Sequence, residues 1–172
     1  MSVITDMLKN SEPIVDDLLK IYGSFITGSY AIGGETFGSD IDVVIPIHID
    51  PGDLIARDMF KYGLAKEPSN YNNGVKVFRR GWCVPINIVR LHPFEYCAWL
   101  FATNTMAGMP PIIDKVTRHR VFEMFCLAYK LASGNSETLT IDGACAYYDR
   151  HKPTATMKTI INISITKEGA PF

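Results

Sequence analysis

Between Phe25 and Pro46 the chain reads FITGSYAIGGETFGSDIDVVIP, and this stretch restricts the possible folds more than any other. Asp40 and Asp42 stand two apart at the head of a Val- and Ile-rich run. In a strand both carboxylates therefore leave one face while Ile41 and Val43 leave the other. A strand interior between Val and Ile is a poor place for two unpaired charges. Their repulsion is relieved when a positive group sits between them, and for oxygen ligands of this kind the expected partner is a divalent cation. Two such ions about 3.5 to 4 Å apart can hold both the attacking and the leaving oxygen of a phosphoryl displacement. Upstream, a short extended run, Ser24 to Thr27, enters Gly28-Ser29 ahead of a helix. Backbone N–H groups and a hydroxyl in such a place can cradle phosphate oxygens. Ser39 adjoins Asp40 and is placed to fix its orientation.

The rest of the chain reads as alternating helices and strands. Ser11-Glu12-Pro13 predicts a helix start, with Ile14, Leu18 and Ile21 at helical spacing and Gly23 as the stop. Residues 53–62 predict a short helix, and the Pro, Ser and Asn cluster from Glu67 to Gly74 an exposed loop. Val75 to Arg80 and Cys83 to Leu91 predict two strands joined tightly at Gly81-Trp82. Helices are expected over residues 94–105 and 116–132, the second burying Val121, Phe125, Ala128 and Ala132. Residues 142–150 suggest a helix and 159–166 a strand, the same order being equally readable as a loop and an edge strand. The fold class is α+β: a small mixed, twisted sheet with helices mainly on one face, and a helical carboxy-terminal part. One domain over 1–172 is expected, with a core of about 12–105 and an extension over 106–172.

Gly28-Ser29, ten intervening residues, then Asp40-Ile41-Asp42 in an apolar strand resemble the signature of the DNA polymerase β superfamily of nucleotidyltransferases, in particular its minimal, single-domain, phage-type members. The resemblance spans residues of about 14 to 105. It implies a turn at Gly28 and Ser29 that binds a nucleoside triphosphate, magnesium on Asp40 and Asp42, and a third acid on a neighbouring strand. The implied activity is transfer of a nucleoside monophosphate to an unknown acceptor (a small molecule, a protein or an RNA end) with release of pyrophosphate.

The third acid is where the chain departs. In the Cys83 to Leu91 run, Val84, Ile86 and Ile88 share one face, and Asn87 on the other stands where a carboxylate is expected. An amide oxygen still ligates a hard cation. It cannot act as a proton acceptor, a role worth about 10²- to 10⁴-fold. Asn87 therefore leaves open a second reading, a nucleotide- or metal-binding module without turnover. His92, just beyond that strand, is a candidate substitute proton acceptor.

A triphosphate also needs cationic partners. Lys115 and Arg118 precede Phe122 and Phe125 at helical steps and extend the inward stripe of the long helix. Lys76, Arg79 and Arg80, beside Phe78 and Trp82, form a second basic and aromatic cluster, suited to stacking a base or holding an acceptor. A net charge of −1, from 17 basic and 18 acidic residues, argues against extended nucleic-acid binding. The four cysteines and four histidines show no metal-binding spacing. No apolar run approaches the ~18 residues of a membrane span, and Asp6 interrupts the amino terminus, so a cytoplasmic protein is expected.

Overall fold

The computed structural model describes residues 3–36, 38–49, 61–71, 74–79, 81–134 and 139–154. In chain order its elements are α1 (Val3–Leu19), β1 (Phe25–Thr27), α2 (Ser29–Ile32), β2 (Ile41–Pro46), β3 (Ala65–Pro68), β4 (Gly74–Phe78), β5 (Ile86–Leu91), α3 (Pro93–Ala107), α4 (Lys115–Ser133) and α5 (Ile141–Arg150). The apolar run that follows Asp40 becomes an inner strand. β2 pairs antiparallel with β1 and parallel with β5, and β4 and β3 continue antiparallel, giving the order β1-β2-β5-β4-β3.

Strand alternation separates two cores. Ile41, Val43, Ile45, Ile86 and Ile88 pack with Leu8, Ile14, Val15 and Leu18 of α1. These side chains are almost fully buried, at about 1.5–3 kcal/mol each. On the opposite face Phe25 and Val44 pack with Tyr96, Cys97 and Leu100 of α3 and Ala144 of α5. α4 docks on α3 through Ala98, Ala102 and Cys126. The fold is thus α+β, a mixed sheet with α3, α4 and α5 gathered on one side and α1 on the other. No described helix is long and apolar enough to cross a membrane.

Several local expectations are revised. α1 begins at Val3 and runs through Pro13, so Ser11 is not a cap. Instead the Ser11 hydroxyl, fully buried, donates toward Met7 O (2.9 Å) and Val84 O (3.1 Å) and accepts from Val84 N–H (2.8 Å). Asn10 Nδ2 adds a bond to Trp82 O at 2.6 Å. These tertiary bonds hold the helix to the segment before β5 across the point where proline removes an intrahelical donor. Ser11→Ala leaves the Val84 amide with only its longer bond to Met7 O (3.4 Å) and is expected to cost about 0.5–1.5 kcal/mol. A lowered urea midpoint checks this.

β3 arises at residues expected to be loop or left unassigned. All four of its residues are exposed at the sheet edge, where no apolar alternation is required and Pro68 is tolerated. β5 starts at Ile86 rather than Cys83. The intervening chain closes on Arg79, whose carbonyl accepts from Trp82 N–H at 2.9 Å, making the connection wider than a two-residue turn. α4 buries Arg118 and Cys126 and half-buries Phe122, Phe125 and Tyr129, whereas Ala128 and Ala132 are exposed. Its inward face is therefore rotated from the expected stripe. Apart from residues 61 and 62, the helix expected at 53–62 lies outside the described residues, as does the strand expected at 159–166.

Candidate active site

Register carries five side chains into one row across the sheet. Thr27, Asp42, Asn87, Lys76 and Glu67 are paired neighbour to neighbour from β1 to β3. The row shares the face of Phe25 and Val44, the side covered by α3. The Thr27 and Thr103 hydroxyls, 2.7 Å apart, tie the row's end to that helix. Asp40, two residues before Asp42, lies on the same side.

Asn87 is only 5 % exposed and sits between the two acids. Its Nδ2 donates to Asp40 Oδ2 at 3.2 Å and to Asp42 Oδ1 at 3.0 Å, while its Oδ1 accepts from the Ser69 hydroxyl at 3.2 Å. Lys76 Nζ lies 2.8 Å from Asp40 Oδ2 and 4.0 Å from Glu67 Oε1. Behind Asp42 stands Gly28, with φ +69°; a Cβ there would fall 2.1 Å from Asp42 Oδ2. Glycine is thus required twice, by backbone and by contact.

Burial pushes the Asp42 carboxyl up from 3.8 to about 6, opposed by the Asn87 hydrogen bond; repulsion from Asp40 adds to the rise, and Lys76 and Lys115 counter it. The folded pKa exceeds the unfolded one, so this group's contribution to stability is greatest below pH 3.8 and is lost as pH rises through about 6. A divalent ion binding the ionised form offsets that loss. Mg2+ is therefore expected to raise the melting temperature at about pH 8 and to do little at about pH 5, as a thermal-shift series checks.

All eight residues singled out from the sequence for metal, phosphate or third-ligand roles line one cleft of about 690 Å³. That volume lies in the range of small-ligand sites. A family model described as a nucleotidyltransferase domain matches residues 8–120. The chain belongs to the nucleotidyltransferase domain family. Comparison with curated proteins finds no match. The chemistry that goes with the family is transfer of a nucleoside monophosphate, with a nucleoside triphosphate as substrate.

Within this nucleotidyltransferase domain the remaining sequence-selected residues take different stations. Ser29 opens α2, a helix of only four residues, so any phosphate cradle rests on the turn's own N–H groups and hydroxyl rather than on a long helix dipole. The Ser39 hydroxyl accepts from Thr36 N–H at 2.8 Å and lies 3.3 Å from the Thr36 hydroxyl. It closes the turn before Asp40 instead of bonding to that carboxylate. Lys115 is exposed at the cleft wall. Arg118, only 6 % exposed, spends Nη1 on the carbonyls of Ile112 (3.0 Å) and Ile113 (3.2 Å) and presses against Gly34. It braces the loop into α4 at the cleft wall.

The basic hairpin cluster does not form one patch. Lys76 turns to Asp40, whereas exposed Arg79 stacks over Trp82 at 5.5 Å; Arg80 lies outside the described residues. His92 stands five residues beyond Asn87, roughly 17 Å along the strand direction, and does not line the cleft. It is in no position to act as the proton acceptor.

Sequence reasoning missed Ser69, Tyr71 and the true station of Lys76. Ser69 also accepts from Tyr71 N–H at 3.3 Å, and the Tyr71 ring meets Trp99 edge-on at 5.6 Å. Burial, with Asp42 and Asp40 nearby, raises the Tyr71 hydroxyl well above its ordinary value. The signal for Lys76 was available: a hairpin centred on Gly81-Trp82 places residue 76 opposite residue 87.

Two carboxylates on one face of a strand, beside an open cleft, are donors suited to a hard cation. Asn87 Nδ2 engages Oδ2 of Asp40 and Oδ1 of Asp42, and Lys76 shares Oδ2 of Asp40. No group of three His, Cys, Asp or Glu residues arranged to hold a metal occurs among the described residues. Asp40 and Asp42 are thus the oxygen donors on which a divalent ion would rest.

Proposed function

We infer that the chain is a metal-dependent nucleotidyltransferase, moving a nucleoside monophosphate from a nucleoside triphosphate onto an acceptor and releasing pyrophosphate. The observation that carries this reading is the convergence of Asp40 and Asp42 beside the Gly28 turn within one cleft. Asp40 and Asp42 would hold Mg2+ or Mn2+, which when bound polarises phosphoryl oxygens as a Lewis acid. The turn at Gly28 and Ser29 receives the β- and γ-phosphates. Lys115 supplies positive charge at the cleft wall, and Arg118 shapes that wall by bracing the 112–113 loop. Trp99 and Phe122, edge to face at 5.4 Å, offer an apolar surface for a base.

An acceptor oxygen attacks the α-phosphorus in line. The new O–P bond forms as the bond to the bridging oxygen breaks, pyrophosphate leaves with the electron pair, and the acceptor proton passes to solvent. Asn87 donates hydrogen bonds to both carboxylates and holds them in register; as an amide it takes no proton.

That same amide favours a second reading, a nucleotide-binding module without turnover. Incubating the protein with each labelled triphosphate and Mg2+, alone and with candidate acceptors, separates the two. Pyrophosphate release supports the transferase. Tight triphosphate binding with no release supports the module.

A further inference from the structure

We propose that the Lys76 ammonium permanently takes the place of one of two metal ions, so that this site binds its nucleotide with a single divalent cation. The inference rests on the nucleotidyl-transfer reading above and specifies its cation requirement.

The row across the sheet is the starting point. Asn87 is flanked by Asp42 on one side and by Lys76 on the other. A lysine on an edge-side strand would ordinarily reach outward to water, and exposed Glu67 stands beside it as a partner. Lys76 instead turns inward, 2.8 Å from Asp40 Oδ2 against 4.0 Å from Glu67, with its side chain 19 % exposed. The same Asp40 oxygen accepts from Asn87 Nδ2. The side of the carboxylate pair facing β5 and β4 is therefore filled by N–H donors, and neither an ammonium nor an amide nitrogen offered as a donor ligates a metal.

Before nucleotide binds, the side-chain charges agree with the geometry. Two carboxylates and one ammonium leave one negative charge, and one divalent ion brings the cluster to one positive charge. A second ion would bring these three side chains to three positive charges, so it would have to rest on the triphosphate rather than on the Asp40 and Asp42 pair. Paired ions sit about 3.5 to 4 Å apart and depend on shared anionic ligands to offset their repulsion. Here the shared anion, Asp40, already carries the ammonium. The fixed charge on Lys76 adds positive potential beside the phosphates without an ion having to be recruited.

The test counts ions. The full chain is mixed with Mn2+ and a non-hydrolysable nucleoside triphosphate, unbound ion is removed, and manganese and nucleotide per chain are measured together with the Mn2+ spin resonance spectrum. One Mn2+ per nucleotide, with the spectrum of an isolated ion, is expected for the unaltered protein and for Lys76→Arg. Lys76→Ala combined with Asn87→Asp exchanges an ammonium and an amide for space and a carboxylate, and is expected to bind two ions with a spin-coupled spectrum. Two coupled ions in the unaltered protein overturn the proposal and leave the nucleotidyl-transfer reading standing. A double variant that melts normally and still binds one ion also overturns it. If that variant does not fold, the count on the unaltered protein decides. Absence of both nucleotide and manganese from the unaltered protein removes the functional reading itself, and the proposal with it.

Discussion

Asp42→Ala is expected to lower nucleotidyl transfer by about 10³-fold or more while the chain stays folded. The side chain is one of two carboxylates on the open side of the site, held from behind by Gly28 and from the side by Asn87 Nδ2 at 3.0 Å. Lewis-acid stabilisation by a bound ion is worth several kcal/mol, and each 1.36 kcal/mol is tenfold in rate. Folding should be spared because burial disfavours this carboxylate's charge in the metal-free protein, raising its pKa to about 6. Removing it relieves that desolvation cost at neutral pH, and Asn87 Nδ2, which loses one acceptor, keeps its bond to Asp40. The measurements are pyrophosphate release at saturating Mg2+ and triphosphate, and urea unfolding at the same pH. An unchanged rate would place the chemistry away from the Asp40 and Asp42 pair.

Gly28→Ala is expected to damage stability and activity together. Gly28 has φ +69° and ψ −161°, a region essentially restricted to glycine, where another residue costs on the order of 1–3 kcal/mol. The added Cβ would also lie 2.1 Å from Asp42 Oδ2 and 3.1 Å from its Cγ. The carboxylate must move, and misplacement by about 1 Å costs about 10²-fold in rate. Gly81→Ala provides the comparison. Gly81 also has positive φ, +70°, but nothing lies within 4 Å of its would-be Cβ. It should lose stability and keep its rate. Equal activity losses in the two variants would refute the contact between Gly28 and Asp42 as the cause.

Much of the site was legible because strand alternation is strict. Asp40 and Asp42 share a face whatever the sheet packs against, and Val84, Ile86 and Ile88 fall opposite Asn87 for the same reason. Gly28-Ser29 could be located as a turn from the extended run before it. The helices α3 and α4 were legible from length and termini, yet the buried face of α4 was not. A helix with Val121, Phe122, Phe125 and Cys126 has apolar residues around much of its surface, and docking against Ala98 and Ala102 selects which are covered. β3 escaped notice because an exposed edge strand needs no apolar pattern. α1 was begun too late because Ser11 and Pro13 carry the local signature of a helix start. A buried hydrogen-bonding partner on the segment before β5 outweighs that signature.

The sequence by itself determined the pair of acids, the glycine turn before them, the amide at the third position and the mixed α+β class. The acids and the turn follow from periodicities and dihedral preferences that act within a few residues, the class follows from the order of elements, and the amide's place as a third ligand is what the family resemblance implied. Only the tertiary structure decided that Lys76 lies against Asp40 and that Ser69 orients Asn87. Those outcomes depend on cross-strand register and on which faces pack, where side chains 18 and 36 residues apart become neighbours. Local chain stereochemistry carries no record of such meetings until the sheet has closed.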